Sequence, residues 1–199
     1  MKRAFSNLAV LAGLAWVLVG CTTVPSEFYM LDTLDPPAAA APQSNDGLSL
    51  GGGPCKVPDD LDRPQRVTRP DPTRVQLNEF SRWAGSLQGN FQRVLARNLG
   101  VLLSSRNVAE YPWDDPFDPD YRLVMDVYRF DGSLGGEVWL EVRWSLTGRD
   151  RTRLLRGAQS SIREPVVGED YQALVKAESK ALEVLSREIA AALTELSRK

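Results

Sequence analysis

The chain has 199 residues, of which 43% are hydrophobic and 25% charged, and this composition is typical of a folded globular domain. It carries 24 Lys and Arg residues against 26 Asp and Glu residues without a basic run, so nucleic acid and anionic membrane surfaces are poor candidate partners. Histidine is absent, which excludes Ser-His-Asp and Cys-His catalytic arrangements and removes the commonest zinc ligand.

The first twenty residues have the order of a bacterial export signal. Lys2 and Arg3 precede an uncharged apolar stretch from Leu8 to Val19. This stretch is shorter than the roughly 20 residues that span a bilayer. Residues 1–20 are therefore interpreted as a signal peptide, and its removal with Lys2 and Arg3 takes the net charge from −2 to −4.

A cysteine follows the predicted signal at the cleavage point. The run Leu18-Val19-Gly20-Cys21 resembles the lipobox of bacterial lipoproteins, in which the cysteine thiol receives a diacylglycerol. Each buried acyl methylene contributes about 0.8 kcal/mol, so a multiply acylated Cys21 would hold the domain at a bilayer. Thr22 follows rather than Asp, which by resemblance to sorted lipoproteins favours the outer membrane. An ordinary cleavage site with a chance cysteine is the alternative.

Cys55 is the second of only two cysteines in the sequence. Once Cys21 is acylated, no intramolecular disulfide can form, and the fold must be held by packing alone. We expect Cys55 to lie in the core as a small apolar residue, with an intermolecular bridge as the alternative.

A short strand and a linker are predicted between the lipidated cysteine and the main domain, over residues 21–46. The aromatic and apolar run Phe28–Leu31 predicts an edge strand. The residues after it, up to residue 46, are rich in Pro, Ala and polar side chains and predict a loop. The remaining residues, 47–199, are predicted to form a single domain.

Short strands and turns are predicted in the first part of that domain. Leu48–Val57 contains Gly51–Gly53, and three glycines in a strand indicate a bulge or a close backbone approach. Val67 and Thr68, and later Val75–Leu77, predict two further short strands.

An amphipathic helix is predicted from Ser86 to Ser105, because apolar residues recur at steps of three and four and Ser86 is a suitable cap. A short strand over residues 107–110 and a proline-rich loop over 112–119 follow. The carboxylates in and just after this loop could in principle bind calcium, but they lack the Gly and Glu of a calcium loop and are interpreted as solvated; they are Asp114, Asp115, Asp118 and Asp120.

Three antiparallel strands are predicted next. Residues 121–130 have apolar residues on both sides of the alternation, and residues 138–147 alternate strictly, so the two form a β-hairpin. Residues 153–162 predict the third strand. A second amphipathic helix over residues 169–197, about 40 Å long, completes the chain. The predicted fold is α/β, a single mixed, largely antiparallel sheet covered by two long amphipathic helices.

Trp139 lies on the polar side of its strand, together with Glu141 and Arg143. An exposed tryptophan there would be an anchor for a partner. The alternative is that a helix covers this face and Trp139 belongs to the core.

Three segments carry a resemblance to a known family: Phe28–Leu31 soon after the lipid-bearing cysteine, Val57–Arg69, and Glu79–Ala84 before the first helix. Together they resemble the PqiC lipoproteins, the auxiliary lipoprotein component of ABC-type and MCE transport systems, over nearly the whole mature chain. The most specific piece is a family motif that consists of Leu61, Asp62, Arg63, Pro64 and Gln65, followed by Arg82 and Trp83.

The lack of histidine, the single cysteine left after lipidation and the lack of a phosphate-binding glycine motif predict a protein that is not an enzyme and holds no metal or cofactor. The resemblance implies a lipoprotein with an α/β domain. It would face the periplasm from the outer membrane, form a homo-oligomeric ring, and dock to a PqiB-like MCE tunnel protein that carries lipid between the membranes and supports envelope integrity. A monomeric lipid-binding carrier is one alternative, and a cell-wall glycan hydrolase with a pair of carboxylates is another.

Arg63 and Arg82 of the family motif can bind carboxylates or backbone carbonyls with forked geometry, and Pro64 stiffens the chain between them. A structural role or an interface role is open for these residues. The structural role is favoured because loop arginines beside proline commonly satisfy local backbone groups.

Overall fold

The structure is a computed structural model that describes residues 24–35, 48–113 and 117–198. The predicted signal peptide, Cys21, most of the linker, and Asp114 and Asp115 lie outside the described residues. In chain order the elements are β1 (Glu27–Tyr29), β2 (Leu50–Lys56), β3 (Gln65–Asp71), β4 (Arg74–Trp83), α1 (Leu87–Leu102), β5 (Val108–Glu110), β6 (Tyr121–Gly132), β7 (Glu137–Gly148), β8 (Leu154–Pro165) and α2 (Tyr171–Ser197).

The larger sheet has five strands in the order β5-β2-β6-β7-β8. The long strands β6, β7 and β8 are antiparallel, whereas β2 is parallel to both β5 and β6. The register of β2 against β6 shifts between Gly52 and Cys55, which confirms the predicted irregularity. Gly53 has φ +113°, and a Cβ there would lie 2.1 Å from the Cβ of Tyr111, so only glycine fits this close approach.

The smaller sheet has three strands in the order β1-β4-β3, with β1 parallel and β3 antiparallel to β4. Its existence corrects the expectation of a single sheet. Alternation identifies a strand but not its partners, and the β3–β4 hairpin pairs with β1 rather than with the central strands. The strand predicted at Val75–Leu77 is also longer, because β4 runs through ten residues to Trp83.

The two long helices and the α/β class are confirmed. Ser86 caps α1, since its Oγ accepts a hydrogen bond from the Gly89 amide at 3.0 Å. Asp170 caps α2 in the same way, with its Oδ1 2.7 Å from the Ala173 nitrogen. No helix in the three described ranges is both long enough and apolar enough to cross a membrane.

The helices lie over one face of the sheets. In β7 the residues that point towards the helices are buried, and they are Val138, Leu140, Val142, Trp144 and Leu146. The alternate residues Trp139, Glu141 and Arg143 lie on the opposite face, which we call the outer face. The core therefore sits between the sheets and the helix pair, and the outer face has no helix among the described residues over it.

Candidate interaction surface

The first part of the family motif is a tight turn that leads into β3. The amides of Leu61 and Asp62 donate to the carbonyl of Pro58 at 2.9 and 3.0 Å, and the Leu61 side chain is buried in the core. The Asp62 Oδ1 accepts a hydrogen bond from the Gln88 amide at 3.1 Å. Because the first amides of a helix have no partner within it, Asp62 stabilises the start of α1.

Trp83 joins the second part of the motif to the first. Its amide donates to the Pro64 carbonyl at 2.8 Å, and its side chain is buried. The guanidinium carbon of Arg66 lies 3.9 Å from the centre of the Trp83 ring, which is cation–π geometry. The motif therefore holds β3, β4 and the start of α1 together.

Arg66 also forms a buried ion pair with α2. Its Nη2 lies 2.7 Å from the Oε2 of Glu178, and the two side chains are 1% and 2% exposed. Burial raises the pKa of Glu178, and Arg66 opposes this rise because a cation stabilises the carboxylate. Sequence reasoning missed Arg66, although its position inside the motif run was a signal that could have identified it.

The other motif side chains are closer to solvent. Gln65 donates from Nε2 to Glu79 Oε2 at 3.2 Å, across the β3–β4 pair. Arg63 is exposed and Arg82 is half-buried. Neither arginine makes a side-chain hydrogen bond or ion pair with the described residues, so the expected carboxylate or carbonyl partners are not found there.

Trp139 lies half-buried on the outer face between two arginines. The guanidinium carbons of Arg129 and Arg163 lie 4.1 and 3.9 Å from the ring centre, and the indole Nε1 donates to the Ser161 Oγ at 3.1 Å. The helices cover the opposite face, so Trp139 is not a core residue beneath a helix. Its orientation is fixed by cross-strand neighbours.

The buried carboxylate of Asp131 connects this group to the smaller sheet. Asp131 is the ladder partner of Trp139, and its two oxygens accept from Arg69 Nε at 2.7 Å and Arg129 Nε at 2.8 Å. Arg69 belongs to β3, so a row of four charged side chains and one tryptophan crosses both sheets. We call Arg69, Asp131, Arg129, Trp139 and Arg163 the Trp139 row.

The described ranges contain no group of three or more His, Cys, Asp or Glu side chains that could hold a metal ion. Asp120 instead accepts hydrogen bonds from Ser49 Oγ and Arg149 Nη2, both at 2.6 Å, and these partners lower its pKa. Cys55 is buried as predicted, and burial raises the pKa of its thiol to about 12.

An enclosed apolar pocket lies between α1 and β2. Its lining includes Leu50, Leu95 and Met125, and its volume is about 10 Å³. A space of this size holds at most about one water molecule, so this pocket cannot accept an acyl chain.

Comparison with known proteins identifies a family and a fold. The model of the family described as "ABC-type transport auxiliary lipoprotein component" matches residues 29–190. A crystal structure of a Xanthomonas campestris protein is similar, with a TM-score of 0.68 and 20% identity over 87% of this chain and 100% of that one. The crystal structure of an uncharacterized protein has a TM-score of 0.69 at 20% identity over 85% and 99% of the two chains. No curated protein matches.

Proposed function

The chain belongs to the family of ABC-type transport auxiliary lipoproteins, and we propose that it is the outer-membrane subunit of an MCE-type lipid transport system of the Pqi kind. In this role it catalyses no reaction. It docks the end of a PqiB-like tunnel protein at the outer membrane and so supports envelope integrity.

The anchor in this proposal is Cys21. Acyl chains on its thiol and amino group hold the domain at the periplasmic side of the outer membrane. The first described residue, Val24, follows Cys21 by only three positions, so the folded domain stays close to the bilayer.

The Trp139 row is the observation that carries the docking proposal. Tryptophan and arginine are the residues that most often dominate binding energy at protein interfaces. Here stacking and ion pairing already hold both side-chain types in place, so little conformational entropy would be lost when a partner binds. The row also lies on the outer face, which the helices leave free.

A homo-oligomeric ring would present several copies of this row to one tunnel end. Repetition of a weak contact raises the overall affinity without any new contact, provided that the geometry allows all copies to bind together. A ring would therefore strengthen a docking contact to which each copy contributes one Trp139 row.

The rival function of a monomeric lipid carrier needs a cavity that fits acyl chains. The enclosed apolar pocket of about 10 Å³ is far too small for this purpose, and two larger clefts of the described residues, of about 400 and 470 Å³, are open to solvent and include charged side chains such as Arg97, Arg106 and Asp120. Docking is therefore favoured over carriage.

Site-specific photo-crosslinking in cells that produce both proteins tests the docking. A crosslinking amino acid at Arg143, on the outer face, should give an adduct with the PqiB-like protein. The matched control is Arg187, which is exposed on α2. Adducts from position 187 alone, or from neither position, would contradict docking through the outer face.

A further inference from the structure

Exposed apolar side chains are concentrated in and beside the smaller sheet. Six of the large hydrophobic residues that the structure shows exposed lie there, and we call them the apolar patch: Val24, Phe28, Met30, Val75, Leu77 and Phe80. Phe28 is 64% exposed and Phe80 is 46% exposed. Scattered apolar residues need no explanation, but a contiguous group of this kind marks an interaction surface.

The pairing of the strands places these residues on one face. Ladder partners share a face, and Phe28 and Gln65 are both partners of Arg82. Phe80 lies two residues before Arg82 in β4, and so points to the same side. The alternate residues of β4, Ser81 and Trp83, point to the helices instead. So does Tyr29, the neighbour of Trp83 in β1.

Leu77 and Val75 are exposed in the half of β4 nearer the hairpin. Leu77 is the partner of Val67, beyond a register shift of the β3–β4 ladder between Gln65 and Arg66. Asn78 accepts hydrogen bonds through Oδ1 from the amides of Phe80 and Ser81, a local turn that realigns the two halves of the strand. The patch therefore has two parts, one at β1 and the end of β4 and one nearer the hairpin.

The chain reaches its predicted anchor from one edge of this patch, because β1 is the edge strand of the smaller sheet. Phe28 follows Cys21 by seven residues, and even a fully extended chain of that length spans at most about 25 Å. β1 itself is fixed in place, because the Tyr29 carbonyl accepts a hydrogen bond from the Ala84 amide at 2.9 Å. Acyl chains on Cys21 would thus keep the patch within a short distance of the bilayer.

We propose that the apolar patch rests in the interfacial region of the bilayer that holds the acyl chains, as a second contact beside the lipid anchor. This rests on the proposed lipidation of Cys21. Aromatic and aliphatic side chains that enter the interface add apolar burial to the anchor, and Arg82 between the two phenylalanines can keep its charged end among the headgroups. A second contact beside the anchor point restricts the orientation of the domain.

A lipid surface fits the patch better than a second copy of the chain. The patch borders the place where the chain leaves for its anchor, so the bilayer is the nearest apolar phase whatever the number of copies. The contact is apolar rather than electrostatic, since Glu79 and Glu27 accompany Arg74 and Arg82 on these strands. It should therefore form on a zwitterionic membrane.

The test is fluorescence quenching by lipid, measured on the lipidated mature protein, residues 21–199. The protein is placed in phosphatidylcholine vesicles with brominated acyl chains. A single environment-sensitive dye is attached to Phe80→Cys, or in a second variant to Phe28→Cys. The matched control is Tyr128→Cys, an exposed aromatic position on β6. Cys55 is buried and Cys21 is acylated, so neither competes for the dye.

The proposal predicts blue-shifted, strongly quenched dye at positions 28 and 80 and an unquenched dye at position 128. A solvent-exposed dye at positions 28 and 80 would overturn the proposal. A dye that is shielded from solvent but not quenched by the brominated lipid would also overturn it, and would assign the patch to a contact with a second copy of the chain. The intact mass reports acylation separately. A mass without acyl chains would overturn both the anchor and this contact, whereas an acylated protein with no quenching would overturn the contact alone.

Discussion

Arg66 belongs to β3 and joins this strand to two other elements. Its guanidinium group stacks on Trp83 in β4 and forms an ion pair with Glu178 in α2. Moving two charges out of water is costly, and their attraction offsets the cost only while both are present. The pair therefore contributes specificity to the packing of α2 against the smaller sheet more than it contributes net stability.

Removal of one partner should be strongly destabilising. Glu178→Gln leaves Arg66 buried without a counter-charge, and we expect a loss of about 3–5 kcal/mol in the free energy of unfolding, measured by urea denaturation. The double variant Arg66→Met with Glu178→Leu should recover most of that loss. A Glu178→Gln protein as stable as the wild type would show that the pair is not buried as described.

The Cys55 thiol should be unreactive in the folded protein. Its pKa of about 12, raised by burial, leaves almost no thiolate at pH 8, whereas the unfolded thiol has a pKa near 8.5. Alkylation at pH 8 should therefore occur only after denaturation, while the exposed Tyr128→Cys variant reacts at once. Rapid native alkylation, or a disulfide-linked dimer, would favour the intermolecular bridge instead.

At the scale of elements, α1 begins with two side chains that bind its free amides, Ser86 from the adjacent position and Asp62 from the family motif. The motif turn is thereby tied to the helix that covers the larger sheet. This gives a structural reason for part of the motif that is independent of any partner.

Asp62→Ala tests that structural role. We expect the free energy of unfolding to fall by about 1 kcal/mol, the usual cost of losing a helix cap, with a lower thermal midpoint. Asp60→Ala is the matched control, because Asp60 is exposed in the same turn and should leave stability unchanged. Equal stability of the two variants would count against the capping role.

The elements that the sequence predicts well are those specified locally. Both helices are predicted by apolar residues at steps of three and four, and Ser86 marks the start of the first. The β6–β7–β8 meander is predicted by the alternation of apolar and polar residues and by the turns between the strands. The division into two sheets does not, because strand partners depend on contacts distant in sequence. Arg66 and Glu178 are 112 residues apart, and the burial of Asp131 depends on Arg69, 62 residues before it.

On the scale of the whole molecule, two sheets share an inner side covered by helices and an outer side that carries the Trp139 row. The apolar patch lies on the smaller sheet, near the predicted anchor. The outer side of one protomer therefore carries both proposed surfaces: the Trp139 row, mainly on the larger sheet, for a protein partner, and the apolar patch, on the smaller sheet, for a bilayer.

The oligomeric state should follow from this arrangement. If copies form a ring around a tunnel end, residues 22–199 should have the mass of one discrete high-order oligomer by light scattering during size-exclusion chromatography. A monomer at all concentrations would instead favour an adaptor that assembles only on its partner, or the carrier function.

Docking at the outer membrane is tested most directly by the distribution of the PqiB-like protein between separated inner and outer membranes. With the wild-type chain we expect part of the PqiB-like protein to co-fractionate with the outer membrane. The Cys21→Ser chain should be folded but soluble in the periplasm. In cells that produce it, the PqiB-like protein should be found only in the inner-membrane fraction. An identical distribution with both chains, or a Cys21→Ser chain that remains in the outer membrane, would contradict the account.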